Sequence, residues 1–141
     1  MRLDLYQQET AAIAAYQGGL LNDAAQKLGA GQSLTPLEQN GVLHALQLLI
    51  ENAIGKGKHL LKASKQPVPV SAYDTFLLLS QNRFIAASEV QEWHNAIGLR
   101  NKIVHDYMNI KMDIVLKLVS QQHYRFIVDF LQEPIPPQLN S

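Results

Sequence analysis

The chain contains no cysteine, no excess charge of either sign and no long hydrophobic run. The absence of cysteine excludes disulfides, thiolate zinc sites and cysteine nucleophiles, and it suits a reducing compartment such as the cytoplasm. The 12 Lys and Arg residues balance the 12 Asp and Glu residues, so the chain has no global positive field that attracts nucleic acid. Any contact with RNA or DNA must therefore be local.

Hydrophobic segments are too short for export or membrane insertion. The N-terminal sequence MRLDLYQQE meets acidic and amide side chains at once and lacks the apolar core of a signal peptide. The apolar runs over 11–16 and 76–79 fall well below the roughly 18 residues that a membrane span needs. We therefore expect a cytoplasmic protein with no membrane contact, whose 141 residues build one hydrophobic core.

Apolar residues recur at helical spacing along almost the whole chain, and no segment shows sustained period-two alternation. The pattern predicts an all-α, up-and-down bundle of four main helices plus a short helix. The main helices are expected over about 3–28, 35–62, 88–107 and 112–131, and the short one begins at Ser71. Because prolines end the last helix, we expect a single domain over 1–133 and a loose tail over 134–141.

Local signals mark several of these boundaries. The sequence Thr35-Pro36-Leu37-Glu38 combines a capping box with proline at the first helical position. Ser71 and Asp74 repeat the capping pattern, and the segment 88–91 offers another capped start. The pair Gly18-Gly19 interrupts the first helical pattern, and it predicts a kink or a close helix contact because glycine costs about 1 kcal/mol relative to alanine inside a helix.

The most informative segment is WHNAIGLRNKIVHDY over 93–107. At about 100° per residue, one face of this helix is apolar, and Arg100 falls near its centre; the apolar residues are Trp93, Ala96, Ile97, Ile103, Val104 and Tyr107. A guanidinium there must snorkel, pair with a carboxylate, or face a groove where an anionic ligand arrives. Beside this face runs a polar stripe that suits close helix approach, formed by His94, Gly98, Asn101 and His105.

The side chains of Arg100 and His105 have complementary chemical properties. They lie about 140° apart around the helix, and a long arginine can lean across Asn101 to reach the histidine. Histidine exchanges protons near neutral pH, and arginine grips two phosphate oxygens and neutralises developing negative charge. The alternative is a buried arginine paired with an acid, next to a histidine in a structural hydrogen bond.

Residues 100–107, with the sequence RNKIVHDY, resemble the R-N-x-x-x-H-x-Y signature of HepT-like toxins in the HEPN superfamily. The chain length, the order of helices and the prolines before a short helix are similar too. The resemblance implies a metal-independent endoribonuclease that is the toxin of a type VII-like toxin–antitoxin pair. It also implies a homodimer in which the motif helices of two subunits face each other across a shared cleft, with no cofactor and no metal.

The resemblance assigns roles to four residues. His105 would deprotonate the ribose 2′-hydroxyl of RNA or protonate the leaving oxygen, Arg100 would stabilise the phosphorane-like transition state, and Asn101 would orient the phosphate or His105. A homodimer supplies two histidines, which suits a reaction that needs a base and an acid. Tyr107, about 20° from Arg100 on the helical wheel, would accept AMP from a partner minimal nucleotidyltransferase, the antitoxin, and the added charge would compete with RNA phosphate.

Other interpretations stay open at this point. One is a non-catalytic helical module that binds and regulates a nucleotidyltransferase, and another is a structural interaction bundle. A local group of basic residues either tracks an RNA backbone or complements a helix C-terminus; its members are Lys56, Lys58, His59, Lys62 and Lys65. Tyr107 taken alone also fits a core aromatic. The spacing of the histidines does not favour a metal site.

Overall fold

A computed structural model describes residues 2–139 and shows six α-helices in that range. They are α1 (Leu3–Gly29), α2 (Pro36–Ala63), α3 (Ala72–Gln81), α4 (Val90–His105), α5 (Met112–Ser120) and α6 (Arg125–Gln132). Single turns of 3-10 helix lie at Ala87–Glu89, Tyr107–Asn109 and Pro137–Leu139. The described residues contain no strand, which confirms the all-α prediction. None of the helices in this range is both long and apolar enough to cross a membrane.

The predicted capping residues start α2 and α3. The Thr35 hydroxyl accepts a hydrogen bond from the Glu38 amide (3.1 Å), and the Thr35 amide donates to the Glu38 carboxylate (2.9 Å). At the start of α3, the Ser71 hydroxyl accepts from the Asp74 amide (3.2 Å). Because these bonds satisfy backbone donors that a helix N-terminus leaves unpaired, the sequence signal and the observed boundary coincide.

The glycine pair in α1 marks a close helix contact, and the helix continues through it. Gly18 is buried, and a Cβ atom at this position would lie 3.1 Å from Cγ2 of Val128 on α6. Gly19 has open space on the side where its Cβ would project. Gly18 is therefore the member of the pair that allows α1 and α6 to pack closely.

The prediction of one last helix over 112–131 is wrong, because that segment forms α5 and α6 with a turn between them. The turn contains Gln122 in the left-handed region at φ 58°. Tyr124 follows it, is 1% exposed, and donates a hydrogen bond from its hydroxyl to the Asn22 side chain on α1. Burial of this tyrosine thus overrides the local helical pattern.

A cluster of aromatic rings fixes α4 against its neighbours. The ring of Trp93 stacks on Phe76 of α3 at 4.3 Å between centroids and meets Phe126 and Phe130 of α6 edge-on at 4.9 and 5.1 Å. Such offset and edge-to-face pairs stabilise a core beyond simple burial of area. The rotation of α4 about its axis, and with it the direction of each motif side chain, follows from this packing.

The segment predicted as a loose tail begins after α6. Within its described part, Ile135 and Leu139 are partly buried and pack against the core. Asn140 and Ser141, the last two residues of the predicted tail, lie outside the described residues.

The predicted basic group is not one exposed surface, because Lys56 is a buried residue that is only 2% exposed. Its ammonium donates hydrogen bonds to the backbone carbonyls of Phe130 (2.7 Å) and Glu133 (2.6 Å) at the end of α6. It also lies 5.2 Å from the centroid of the Phe130 ring. Burial lowers the pKa of Lys56 to about 8, against the opposing attraction of the Glu133 carboxylate.

Neighbouring members of that group also have partners within the chain. Lys58 donates to the Val70 carbonyl at 3.1 Å. The ring of His59 meets the Tyr6 ring edge-on at 4.4 Å, and burial followed by the nearby Lys62 charge lowers the pKa of His59. These contacts tie α2 to α1, to α6 and to the connector before α3, which is a structural use of basic side chains.

Candidate functional site

Helix α4 carries the motif and begins differently from the prediction. The Ser88 side chain does not cap it; instead the Ala86 amide donates to the Glu89 carboxylate (3.0 Å), and one 3-10 turn leads into Val90. The buried residues of α4 are Trp93, Ala96, Ile97 and Ile103. These four residues form the face that packs into the bundle, so the motif begins in the last two turns of a firmly seated helix.

Arg100 lies on the buried side of α4 without an acidic partner. The residue is half-buried, and its Nε atom is buried with no hydrogen-bond partner. The ion pairs found within residues 2–139 join Arg2 to Asp4 and Lys27 to Glu38, and neither involves Arg100. The alternative of a structural arginine neutralised by an internal carboxylate is therefore wrong, and the guanidinium stays available to an anionic ligand.

His105 is the last residue of α4, and its exposed side chain has no hydrogen bond to any other residue in the described range. The same holds for the side chain of Asn101, which is half-buried one turn earlier. The carboxylate next to His105, that of Asp106, accepts a hydrogen bond from Asn109 (2.7 Å). By helical geometry His105 lies about 7.5 Å along the axis from Arg100. Imidazole and guanidinium are thus both unengaged on one helix end.

The polar stripe on α4 divides into two halves with different surroundings. Nε2 of His94 lies 3.2 Å from the Tyr73 carbonyl of α3, and the two rings meet edge-on at 5.1 Å. A Cβ atom on Gly98 would lie 3.6 Å from the Tyr73 hydroxyl. The first half of the stripe therefore serves close approach of two helices within one chain. The second half, Asn101 and His105, remains uncovered by such a contact.

The predicted position of Tyr107 on the helical wheel is wrong, because α4 ends at His105. Asp106 leaves helical geometry at φ −147° and ψ 44°, and Tyr107 opens the 3-10 turn Tyr107–Asn109. Its side chain is 46% exposed, and its hydroxyl donates a hydrogen bond to Oδ1 of Asn40 on α2. This contact was not predicted, because no local sequence pattern links residues 67 positions apart.

Large apolar side chains are exposed along the segment that ends α4 and starts α5. Val104, predicted on the buried face, is exposed, and Met108 is 90% exposed; Ile114 follows with more than half of its surface in solvent. Exposed apolar groups gathered in one segment are typical of interaction surfaces. This segment flanks His105 on both sides in the sequence.

The motif side chains lie outside the cavity that opens beside α4. A cavity of about 320 Å³ opens beside α4 between Leu99, Leu118 and Phe126, and Arg100 and His105 are not among its lining residues. Across residues 2–139, no group of three His, Asp or Glu side chains is arranged to hold a metal ion. The motif side chains are therefore accessible to a ligand or to a second chain that arrives at the end of α4.

Comparison with known proteins identifies relatives in both sequence and structure. An mRNA nuclease HepT from Shewanella oneidensis is 35% identical over 94 residues, which are 67% of this chain and 68% of the relative. The solved structure of a tri-AMPylated Shewanella oneidensis HEPN toxin in complex with MNT antitoxin matches 84% of this chain and 93% of its own, with a TM-score of 0.66 and 26% identity. A mutant of the toxin–antitoxin MntA-HpeT matches 89% of this chain and 93% of its own at a TM-score of 0.72 and 23% identity, which shows a shared fold.

A family model agrees with these relatives. The model described as Ribonuclease HepT-like matches residues 13–134, a range that includes α4 and the turn after it. The match covers most of the chain and all the residues of the motif. The chain therefore belongs to the HepT-like ribonuclease family of HEPN toxins.

Proposed function

We propose that this chain is a metal-independent endoribonuclease, the toxin of a type VII-like toxin–antitoxin pair, and that it acts as a homodimer. The observation that carries the proposal is the state of Arg100, a half-buried cation without an acidic partner on the helix that ends in an unengaged His105. A buried donor without a partner costs about 1 to 3 kcal/mol, a cost that is offset when a phosphate binds it.

Each motif residue has a role that its position supports. Arg100 contacts the scissile phosphate and stabilises the extra negative charge that develops as the 2′-oxygen attacks phosphorus. His105 either takes the proton of the 2′-hydroxyl or gives one to the leaving 5′-oxygen. Asn101, one residue after Arg100, orients the phosphate or the imidazole. General acid–base chemistry of this kind moves protons between side chains and RNA.

A second copy of the chain completes the cleft in this proposal. One chain supplies a single motif histidine, whereas cleavage needs a base for the attacking oxygen and an acid for the leaving oxygen. The exposed apolar residues Val104 and Met108 border the motif and supply a surface that two copies bury against each other. RNA then binds between the two α4 helices and meets two arginines and two histidines.

The antitoxin in this proposal is a minimal nucleotidyltransferase that transfers AMP to Tyr107. The Tyr107 hydroxyl lies in an exposed turn two residues after His105, where a second enzyme can reach it. An added nucleotide brings bulk and a phosphodiester charge to the entrance of the cleft. It blocks RNA there by occupying space and by repelling the phosphate backbone.

RNA cleavage by the purified, unmodified chain in the presence of EDTA tests the nuclease. We expect Arg100→Ala and His105→Ala each to lower the cleavage rate by about 100-fold or more, which is the usual loss when a charge-stabilising or proton-transferring group is removed. Arg125→Ala, which removes an exposed arginine on α6, should cleave like wild type. Equal cleavage by all four proteins would contradict the proposed nuclease site. Loss of wild-type cleavage in EDTA would show that the reaction needs a metal ion.

The dimer has a separate test. Met108→Asp changes a side chain that is 90% exposed in one chain, so the fold of the monomer should tolerate it. We expect this variant to sediment as a monomer and to lose cleavage, whereas Tyr16→Asp, at an exposed aromatic on α1, should keep both. A fully active monomeric Met108→Asp protein would contradict the shared cleft.

A further inference from the structure

The Tyr107 hydroxyl is held from outside its own turn, by the Asn40 side chain. We propose that Asn40 is a positioning residue for AMP transfer, which aims the Tyr107 hydroxyl at the incoming nucleotide and then accommodates the modified side chain. This inference rests on the proposed function, because it assigns to Asn40 a part in the modification of Tyr107.

The hydrogen bond to Asn40 connects two elements that the chain separates widely. The turn Tyr107–Asn109 is closed locally by the bond from Asn109 to the Asp106 carboxylate (2.7 Å) and by the Ile110 amide, which donates to the Tyr107 carbonyl (3.2 Å). The Tyr107 hydroxyl extends this local network to Oδ1 of Asn40, in the second turn of α2. Because α2 is packed into the core, it holds the exposed ring in one orientation.

The chemistry of transfer explains why an amide oxygen suits this position. The phenolic oxygen attacks the α-phosphorus of ATP, a new O–P bond forms, the bond to pyrophosphate breaks, and pyrophosphate leaves. The phenolic proton passes to a base of the transferase or to water, since an amide oxygen is too weakly basic to keep it. By accepting that O–H group beforehand, Asn40 fixes its direction and leaves the oxygen lone pairs turned towards the phosphorus.

The AMP-modified tyrosine requires a different hydrogen bond from Asn40. After transfer, the tyrosine oxygen is an ester oxygen that can only accept hydrogen bonds, so it can no longer donate to Oδ1. Rotation of the Asn40 amide by about 180° brings its NH₂ group to the same place, where it donates to the ester oxygen or to the phosphate. Asparagine therefore serves both states, aspartate serves only the unmodified tyrosine, and alanine serves neither.

Three substitutions on α2 separate these roles in the full-length chain. The unmodified protein is mixed with the purified nucleotidyltransferase and ATP, and the initial rate of AMP addition is followed by intact mass. We expect Asn40→Ala to slow addition by about fivefold, the factor that loss of one neutral hydrogen bond produces. Asn40→Asp should slow it at least as much, because a carboxylate repels the phosphate. His44→Ala, an exposed residue one turn further along the same helix, should match wild type.

Hydrogen exchange without the transferase supplies an independent readout. The amides of Asn109 and Ile110, which donate within the turn, should exchange several-fold faster in Asn40→Ala and at the wild-type rate in Asn40→Asp, since aspartate still accepts from the tyrosine. Slower addition in Asn40→Ala, with thermal unfolding that matches that of His44→Ala, is a result that a merely structural role of Asn40 does not produce. Unchanged exchange in Asn40→Ala would overturn the inference.

Tyr107→Phe distinguishes failure of this inference from failure of the proposed function. If AMP addition persists in Tyr107→Phe, the acceptor is another residue and the proposed modification itself is wrong. If addition requires Tyr107 but proceeds in Asn40→Ala at or above the wild-type rate, the proposed function stands and the role of Asn40 falls.

Discussion

Substitution of Lys56 by methionine provides a test of a charge inside the bundle. Lys56 is 2% exposed, and its ammonium binds the carbonyls of Phe130 and Glu133 at the end of α6. Methionine has a similar length but neither the charge nor the hydrogen-bond donors. Lys56→Met therefore removes the cost of burying a charge and, at the same time, leaves two carbonyls without a donor.

The pH dependence of the free energy of unfolding gives the magnitude of the cost of burying this charge. Burial lowers the pKa of Lys56 from 10.5 to about 8 in the folded chain, so the unfolded chain binds this proton more tightly. At pH 7 the lysine is charged in both states, and folding carries the full cost of about 3 kcal/mol, at about 1.4 kcal/mol per pKa unit. As pH rises from 8 towards 10, the folded chain loses the proton first, and the free energy of unfolding rises by about 2 to 3 kcal/mol.

Two buried tyrosines titrate mainly above this window and act in the opposite direction. Burial raises the pKa of Tyr6 and of Tyr124 above the ordinary value of 10, so their ionisation destabilises the folded chain at higher pH. The difference between wild type and Lys56→Met between pH 7 and 10 therefore reports on the lysine. The neutral amine still carries hydrogens for both carbonyls, so wild type keeps these bonds at pH 10.

Urea unfolding at pH 7, 8, 9 and 10, followed by the fluorescence of Trp93, measures this effect. Trp93 is the one tryptophan of the chain and lies 5.1 Å from the Phe130 ring, so it reports on the affected region. We expect Lys56→Met to lack the rise, so that wild type gains about 2 to 3 kcal/mol over the variant between pH 7 and 10. Lys58→Met, whose lysine binds a single exposed carbonyl, should follow wild type. Parallel curves for wild type and Lys56→Met would refute the reasoning.

Four further substitutions test the site and the helices. Arg100→Leu should abolish RNA cleavage while raising the free energy of unfolding by about 1 kcal/mol, since it removes a buried donor that lacks a partner; a clearly less stable variant would show that Arg100 has a structural role. Gly19→Ala should stabilise α1 by about 1 kcal/mol in thermal unfolding, whereas Gly18→Ala should gain less or lose stability, because its Cβ meets Val128 at 3.1 Å. Equal effects at both glycines would contradict the close helix contact. Thr35→Ala should cost about 1 kcal/mol in urea unfolding through loss of the capping box, and an unchanged midpoint would contradict this assignment.

Helix starts were the most predictable features of the fold, because their signals are local. The capping residues Thr35 and Ser71 each satisfy a backbone donor within three positions of themselves. The break between α5 and α6 had no comparable signal. Neither glycine nor proline occurs over 121–124, and Gln122 enters the left-handed region because Tyr124 is buried against α1 and hydrogen-bonded to Asn22. A contact across 102 positions decides that turn.

The site was predictable where it depends on one helix and unpredictable where it depends on two. The spacing placed Arg100 correctly on the buried side of α4, but it could not show that no acid meets it. Extending the same period to Tyr107 failed, because Asp106 leaves helical geometry. Lys56 did carry a signal: it lies three residues after Ala53 and four before Leu60, on the buried face of α2. Its charge favoured a surface position, and two distant carbonyls outweighed that preference.

The end of α4 at His105 separates the groups proposed to cleave RNA from the tyrosine proposed to accept AMP. Arg100 and His105 belong to a helix anchored by Trp93, whereas Tyr107 belongs to a single turn held by side-chain bonds. Under the proposed function, lesions in these two places have opposite phenotypes. Substitution of Tyr107 leaves an active nuclease that the antitoxin cannot modify, whereas substitution of Arg100 or His105 leaves an inactive chain. Genetic selection for surviving cells should therefore recover changes at Arg100 and His105 and none at Tyr107.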